Sequence, residues 1–209
     1  FKIYNEKAGD HYRYEGWNGF DSMPVIQALD GSELNVKSWA KDIISDKDSV
    51  TNLWLDRGTS GWRLDVADEV SDETWRAFRD AVKEAGQDNV VIGEIWTDAS
   101  KYLLGDMYDS VMNYRFRGSV LGYASGSKTA DLTMNELEKM REQYPKEAFQ
   151  AMMNLVGSHD KPRVLSSLDG VDDSDQSRHV GAASEKARSK MNLIPFFQMT
   201  YPGTPTIYY

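Results

Sequence analysis

The chain has 209 residues, 40% of them hydrophobic and 11% aromatic, a formal net charge of −9, and no cysteine. These numbers allow a sizeable single-domain core and exclude disulfides, zinc fingers and thiol catalysis. They argue against nucleic acid, which needs Lys and Arg clustered on one face, and no apolar run approaches the roughly 18 residues that span a membrane.

The first 34 residues, dense in Tyr, Gly, Asp and Trp, hold no sustained period and read as a long ordered loop. Asn35 then caps an expected helix with Val36, Trp39, Ala40, Ile43 and Ile44 on one face, and a second short helix is expected over Val50 to Leu55. GWRLDVA is a β-prone segment. After it comes a helix capped by Ser71, striped by Trp75, Phe78, Val82 and Ala85, and stopped at Gly86. VVIGEIW follows as a strand of the kind buried on both faces of a parallel sheet, and SVMNYRF as a weaker one. Thr133 and Glu136 have the spacing of a capping box, opening a helix with Leu137, Met140 and Tyr144 on one side. AMMNLVGSHD is the fourth strand, residues near 184–199 form a helix kinked at Pro195, and TPTIYY is the fifth strand. Repeated strand–helix–strand units imply a parallel α/β sheet. A doubly wound sheet would carry a glycine-rich nucleotide loop, and neither GxGxxG nor GxxxxGK[ST] occurs. The chain opens FKIYNEKAG without Met or leader and closes inside a strand-like run, so both ends are expected to continue in a longer protein.

Three acids stand at or just past strand ends. Asp65 lies 29 residues before Glu94, about one strand–helix repeat, and Asp160 lies 66 residues beyond Glu94, about two. In a (β/α)8 barrel such positions converge on one mouth. A cleft of this kind suits retaining glycoside hydrolysis, which needs two carboxyl groups roughly 5–5.5 Å apart. Neighbouring strands, about 4.8 Å apart, can supply that spacing. Arg63 shares a strand side with Asp65, and its fixed charge favours an ionised nucleophile. Glu94 stands among Val, Ile and Trp96, apolar surroundings suited to a carboxyl that must hand over a proton. Taken singly, Arg63–Asp65 could be a structural ion pair, Glu94 an interior acid with a basic neighbour, and His159–Asp160 a loop hydrogen-bond pair. Matching strand positions make the joint coincidence hard to accept. Serine- and metal-hydrolase chemistry fails on inventory: there is no GxSxG, and His11, His159 and His179 lack i, i+4 partners for zinc.

GWRLDVADEV, VVIGEIW and NLVGSHDKPR resemble the second, third and fourth conserved segments of the α-amylase clan of glycoside hydrolases, and GTPTIYY its last barrel strand. YEGWNGFDSMPVIQALDGSELNVKSW is similar to the matching segment of amylopullulanases and, more loosely, of neopullulanases. The resemblance implies a (β/α)8 TIM barrel of which this partial chain covers about the last five strands. Residues 1–34 would be a long loop segment between barrel strands three and four, and residues 35–209 the C-terminal half of the catalytic barrel. It implies Asp65 as nucleophile, Glu94 as acid/base and Asp160 as the third acid, with Arg63, His159, Asp68, Glu69 and Trp96 binding substrate. Trp62, alternating with Arg63, is expected behind the sheet. The pattern departs at Asp68, where amylopullulanases usually carry Asn, and at Asn18, where they carry a second Trp; both lie near the sugar-binding region. The implied substrate is an α-glucan cleaved at α-1,4 or α-1,6 bonds, with neopullulanase, cyclomaltodextrinase or plain α-amylase specificity as alternatives and a non-catalytic glycan-binding relative as the rival class. No cofactor is implied for the chemistry. The clan's first conserved segment, expected upstream of Phe1, often helps hold a structural calcium. A secreted or cell-surface bacterial protein is expected, with the cytoplasm as the alternative. Five strands of eight leave open sheet edges, so the isolated 209 residues are expected to be poorly soluble or inactive without the missing half.

Overall fold

In a computed structural model of the chain, residues 3–8, 11–27, 29, 38–174 and 182–208 are described. The opening stretch is not loop throughout. It contains a two-stranded antiparallel ribbon, β1 (Ile3–Ala8) against β2 (His11–Tyr14), with Lys7 opposite Tyr12. Its strands are too short to show a sustained period, but Gly-Asp between two β-prone runs is a hairpin signal. A 3-10 turn at Trp17–Gly19 follows, held by a bridge between Gly16 and Pro24. Asn18 there has φ of 49°, a left-handed conformation that Asn tolerates far better than the bulky Trp expected by resemblance.

Asn35 and Val36 lie outside the described residues. The helix expected after them is a single turn, α1 (Ser38–Ala40), that widens into a π-helical turn over Lys41–Ser45, with Ala40 and Ile44 buried and Ile43 exposed. α2 (Val50–Asp56) starts at Ser49, whose side chain accepts from the Asn52 amide.

Among the described residues, five parallel strands carry the rest: β3 (Gly61–Leu64), β4 (Val90–Gly93) and β5 (Ser110–Val111) in one sheet, β6 (Met153–Leu155) and β7 (Thr204–Thr206) in another. A parallel bridge between Met112 and Met153 joins the two. Gly61 is needed at the foot of β3: at φ 150° a Cβ would sit 2.1 Å from the Val90 carbonyl oxygen. Buried amides reinforce the junction. Asn113 donates to the Asn154 side chain at 2.9 Å, and Gln198 Nε2 reaches the carbonyls of Asn154 (3.0 Å) and Thr206 (2.9 Å).

α3 (Asp72–Ala85) connects β3 to β4, capped by Ser71 and ended at Gly86. It buries Trp75, Phe78 and Val82 as expected, but Ala85 is exposed and Thr74 is the additional buried residue. The SVMNYRF strand is only two residues long because Asn113 accepts from the Phe116 amide and starts α4 (Tyr114–Ser125) at once. That helix was hidden in the sequence because it is buried nearly all round, without a one-sided stripe.

α5 (Ala130–Gln143) begins earlier than the capping box suggests. Thr129 is the cap, accepting from the Leu132 amide, while Thr133 is buried one turn in, and Glu136 pairs with Lys128 and accepts from Ser119. Leu137, Met140 and Tyr144 are buried as expected. α6 (Lys146–Ala151), not foreseen, leads into β6. α7 (Val164–Leu168) follows the β6 loop. The last helical stretch breaks at Asn192 rather than Pro195, giving α8 (Glu185–Met191) and α9 (Leu193–Thr200). Pro195 falls in the first turn of α9, where a missing N–H costs no helical bond. Among the described residues no helix is long and apolar enough to cross a membrane.

Candidate active site

The register of the first sheet sets the site. Leu64 pairs with Gly93, and the Glu94 amide donates to the Leu64 carbonyl at 2.9 Å. Asp65 and Glu94 therefore leave adjacent parallel strands at the same level. Immediately after Asp65 the chain turns sharply: Val66 has φ of 44° and ψ of 47°, an outlier for a β-branched residue, and a 3-10 turn follows at Ala67–Glu69. This turn aims the Val66 amide at Glu94 Oε2, 3.1 Å away.

Arg63, the last-but-one residue of β3, joins the two acids. One terminal nitrogen bonds Asp65 Oδ1, and the other lies 2.8 Å from Glu94 Oε1, a close ion pair outside aligned hydrogen-bond geometry. The Arg63 Nε faces the Met112 sulfur at 3.3 Å. Apolar walls alone, as expected for Glu94, are thus an incomplete account of its surroundings: a cation and a backbone donor both reach it. The two carboxylates differ sharply in access. The Asp65 side chain is 72% exposed and that of Glu94 only 5%.

Past β6, His159 Nε2 lies 3.2 Å from Asp160 Oδ2, and the Asp160 amide donates to Ser158 Oγ at 3.2 Å. A cleft of about 440 Å³ gathers Asp65, Val66, Glu94, Trp96, His159 and Asp160 with Lys161, Asp173 and Ser174. Five of the residues singled out from sequence therefore share one cavity, and Arg63 supports it from beneath. Asp68 and Glu69 do not line it. Both are exposed on the 3-10 turn, where Glu69 accepts from the Trp17 indole. Trp62 packs edge-on to Phe78 of α3, behind the sheet as expected. His179 lies outside the described residues, and so does the side chain of His11.

The sequence reading passed over Tyr114. Its ring lies flat on Trp96, centroids 3.8 Å apart, and its hydroxyl donates to Ser158 Oγ at 3.2 Å. Burial, reinforced by the nearby charges of Glu94 and Asp160, pushes the hydroxyl up to about 12 against the relief from Ser158, so it stays a donor throughout the neutral range. Lys161, Asp173 and Ser174 were missed too. Only Lys161, next to Asp160, carried a positional hint. Among the described residues no group of three His, Asp or Glu side chains is placed to hold a metal ion.

Residues 29–209 match the family model for the α-amylase catalytic domain. The chain is 40% identical over 213 residues to an amylopullulanase of Thermoanaerobacter thermohydrosulfuricus, covering 94% of this chain and 14% of that protein. It is 38% identical over 220 residues to neopullulanase 2 of Thermoactinomyces vulgaris, covering 97% of this chain and 34% of the relative. The type III pullulan hydrolase from Thermococcus kodakarensis superposes with a TM-score of 0.68 at 32% identity, covering 74% of this chain and 27% of that structure. The chain thus spans between about a seventh and a third of the length of these proteins.

Proposed function

This chain belongs to the α-amylase catalytic-domain family, and from that premise we propose that it carries out retaining hydrolysis of α-1,4 or α-1,6 glucosidic bonds in starch, pullulan or a related α-glucan. Asp65 is the nucleophile and Glu94 the acid/base. The observation that carries the reading is the single Arg63 guanidinium in contact with both carboxylates. One planar fork reaching both acids, which line the same cleft, brings them together as a nucleophile and acid/base pair requires.

In the first step Asp65 attacks the anomeric carbon while Glu94 passes its proton to the departing glycosidic oxygen, leaving a glycosyl ester on Asp65. Glu94 then takes a proton from water, which attacks the same carbon and releases Asp65. The exposure of Asp65 suits an attacking oxygen that must reach into the cleft. Asp160 and His159 hold sugar hydroxyls, and Trp96 lines the cleft where a glucose unit stacks once Lys161 has moved off the ring. Asp68 and Glu69, exposed outside the cleft, meet the part of the glucan that extends beyond it on the leaving-group side.

The finer architecture is part of the same reading. The five parallel strands are the last five of an eight-stranded barrel, with residues 1–34 between barrel strands three and four and residues 35–209 forming the C-terminal half.

In the full-length protein, Asp65→Asn and Glu94→Gln should each cut hydrolysis by about 10²–10⁴-fold, measured as reducing sugar released from pullulan and soluble starch. An Asp65→Asn rate equal to wild type would instead favour a non-catalytic glycan-binding protein. The products separate the linkages: maltotriose from pullulan marks α-1,6 cleavage, panose α-1,4 cleavage.

A further inference from the structure

Two side chains already lie against the Trp96 ring. Tyr114 lies against one face, its plane 10° from parallel, and is itself fixed by burial and by Ser158. Lys161 Nζ stands 4.8 Å from the ring centroid. Since Tyr114 fills one side, the ammonium takes the other. Trp96 is 37% exposed overall. Lys161 does not rest there by chance. Its ammonium donates to the Asp173 carbonyl at 3.4 Å and lies 3.6 Å from the Asp173 carboxylate. Asp173 is pinned in turn by Arg117, whose side chain on α4 is only 3% exposed and whose Nε donates to the Val156 carbonyl at 3.1 Å. The chain of contacts runs from the buried helix, through the cleft wall, to the indole face.

We propose that Lys161 is a specificity-determining residue that competes with substrate, its ammonium occupying the sugar-stacking face of Trp96 until a glucose unit displaces it toward Asp173. The inference rests on the reading of this cleft as an α-glucan site. Displacement is cheap, because a cation–π contact at a partly exposed ring is weak. A glucose unit replaces the ammonium with its own C–H face, while Asp173 keeps the departing charge paired. The site therefore penalises weakly stacking ligands at this position and admits those whose other contacts offset the exchange.

Steady-state kinetics of the full-length protein on pullulan and on maltohexaose test this. Lys161→Ala should lower KM by about two- to fivefold, the worth of one such cation–π contact, with kcat moving less. Lys161→Arg keeps a cation for the ring and should stay near the wild-type KM. Adding Trp96→Ala to Lys161→Ala should abolish the gain. A KM that rises or stays level in Lys161→Ala overturns the proposal, since Lys161 would then be a hydroxyl donor or a wall prop. A gain that survives loss of Trp96 overturns it equally. A wild-type protein that hydrolyses neither substrate brings down the underlying reading as well, and is seen before any variant is made.

Discussion

At Arg63 one planar cation meets two carboxylates, and the rigid spread of its donors is what lets it hold both. A lysine keeps the charge but offers a single point. Arg63→Lys is therefore expected to lower kcat/KM on pullulan by up to about 10²-fold, the order of loss that small misplacements of reacting groups produce. An unchanged fold by circular dichroism would separate this from unfolding, and a kcat/KM within about twofold of wild type would count against the bridging role. Asp65, Glu94, His159 and Asp160 could be picked out in the sequence because each sits at a fixed offset from a strand-like run. Tyr114 and Asp173 could not. Tyr114 reaches Trp96 from the start of α4, 18 residues on, and Asp173 depends on Arg117, 56 residues away. Only folding brings such pairs together.

Single helices show the same division. The sequence places a cap at Thr133, whereas the observed cap is Thr129, and the two positions have opposite expected effects. Thr129→Ala removes the acceptor for the Leu132 amide and should cost about 1 kcal/mol. The Thr133 hydroxyl is buried with no hydrogen-bond partner, so the near-isosteric Thr133→Val should be neutral or stabilising by about 1 kcal/mol. Urea denaturation of the two variants decides between the caps; destabilisation by Thr133→Val alone would restore the first. The sequence favours Thr133 because only it has Thr–x–x–Glu spacing, and that spacing says nothing about burial. Ser71 and Gly86 were readable because the amphipathic stripe between them fixes which end is which. α4 had no such contrast to read, since Tyr114, Phe116, Val120, Leu121 and Ala124 are all buried.

For the whole molecule, ionisation limits stability from both sides. Burial alone would raise Asp109, but the Val91 amide (2.9 Å), Lys83 (3.0 Å) and Arg79 (2.8 Å) outweigh it and hold this carboxyl below its ordinary value. Its contribution is complete above the unfolded value of 3.8 and is lost as pH falls from there through the lower folded value. Tyr114 behaves in the opposite sense. Raised from 10.0 to about 12, it favours the fold below pH 10 and loses that contribution as pH climbs toward 12. Melting temperature against pH should therefore fall at both extremes. Asp109→Asn should flatten the acid limb and Tyr114→Phe the alkaline one. Acid and alkaline limbs that match wild type in these variants would show that other groups set the limits.

By itself the sequence determined the alternation of strand and helix, the family, and which acids stand at strand ends, because these follow from periodicity and from residues a few positions apart. Only the tertiary structure decided that Arg63 touches both acids, that Trp96 meets both Tyr114 and Lys161, and that Asp173 joins the cleft wall. Those depend on strand register and on contacts between distant segments, and neither leaves a local mark on the chain.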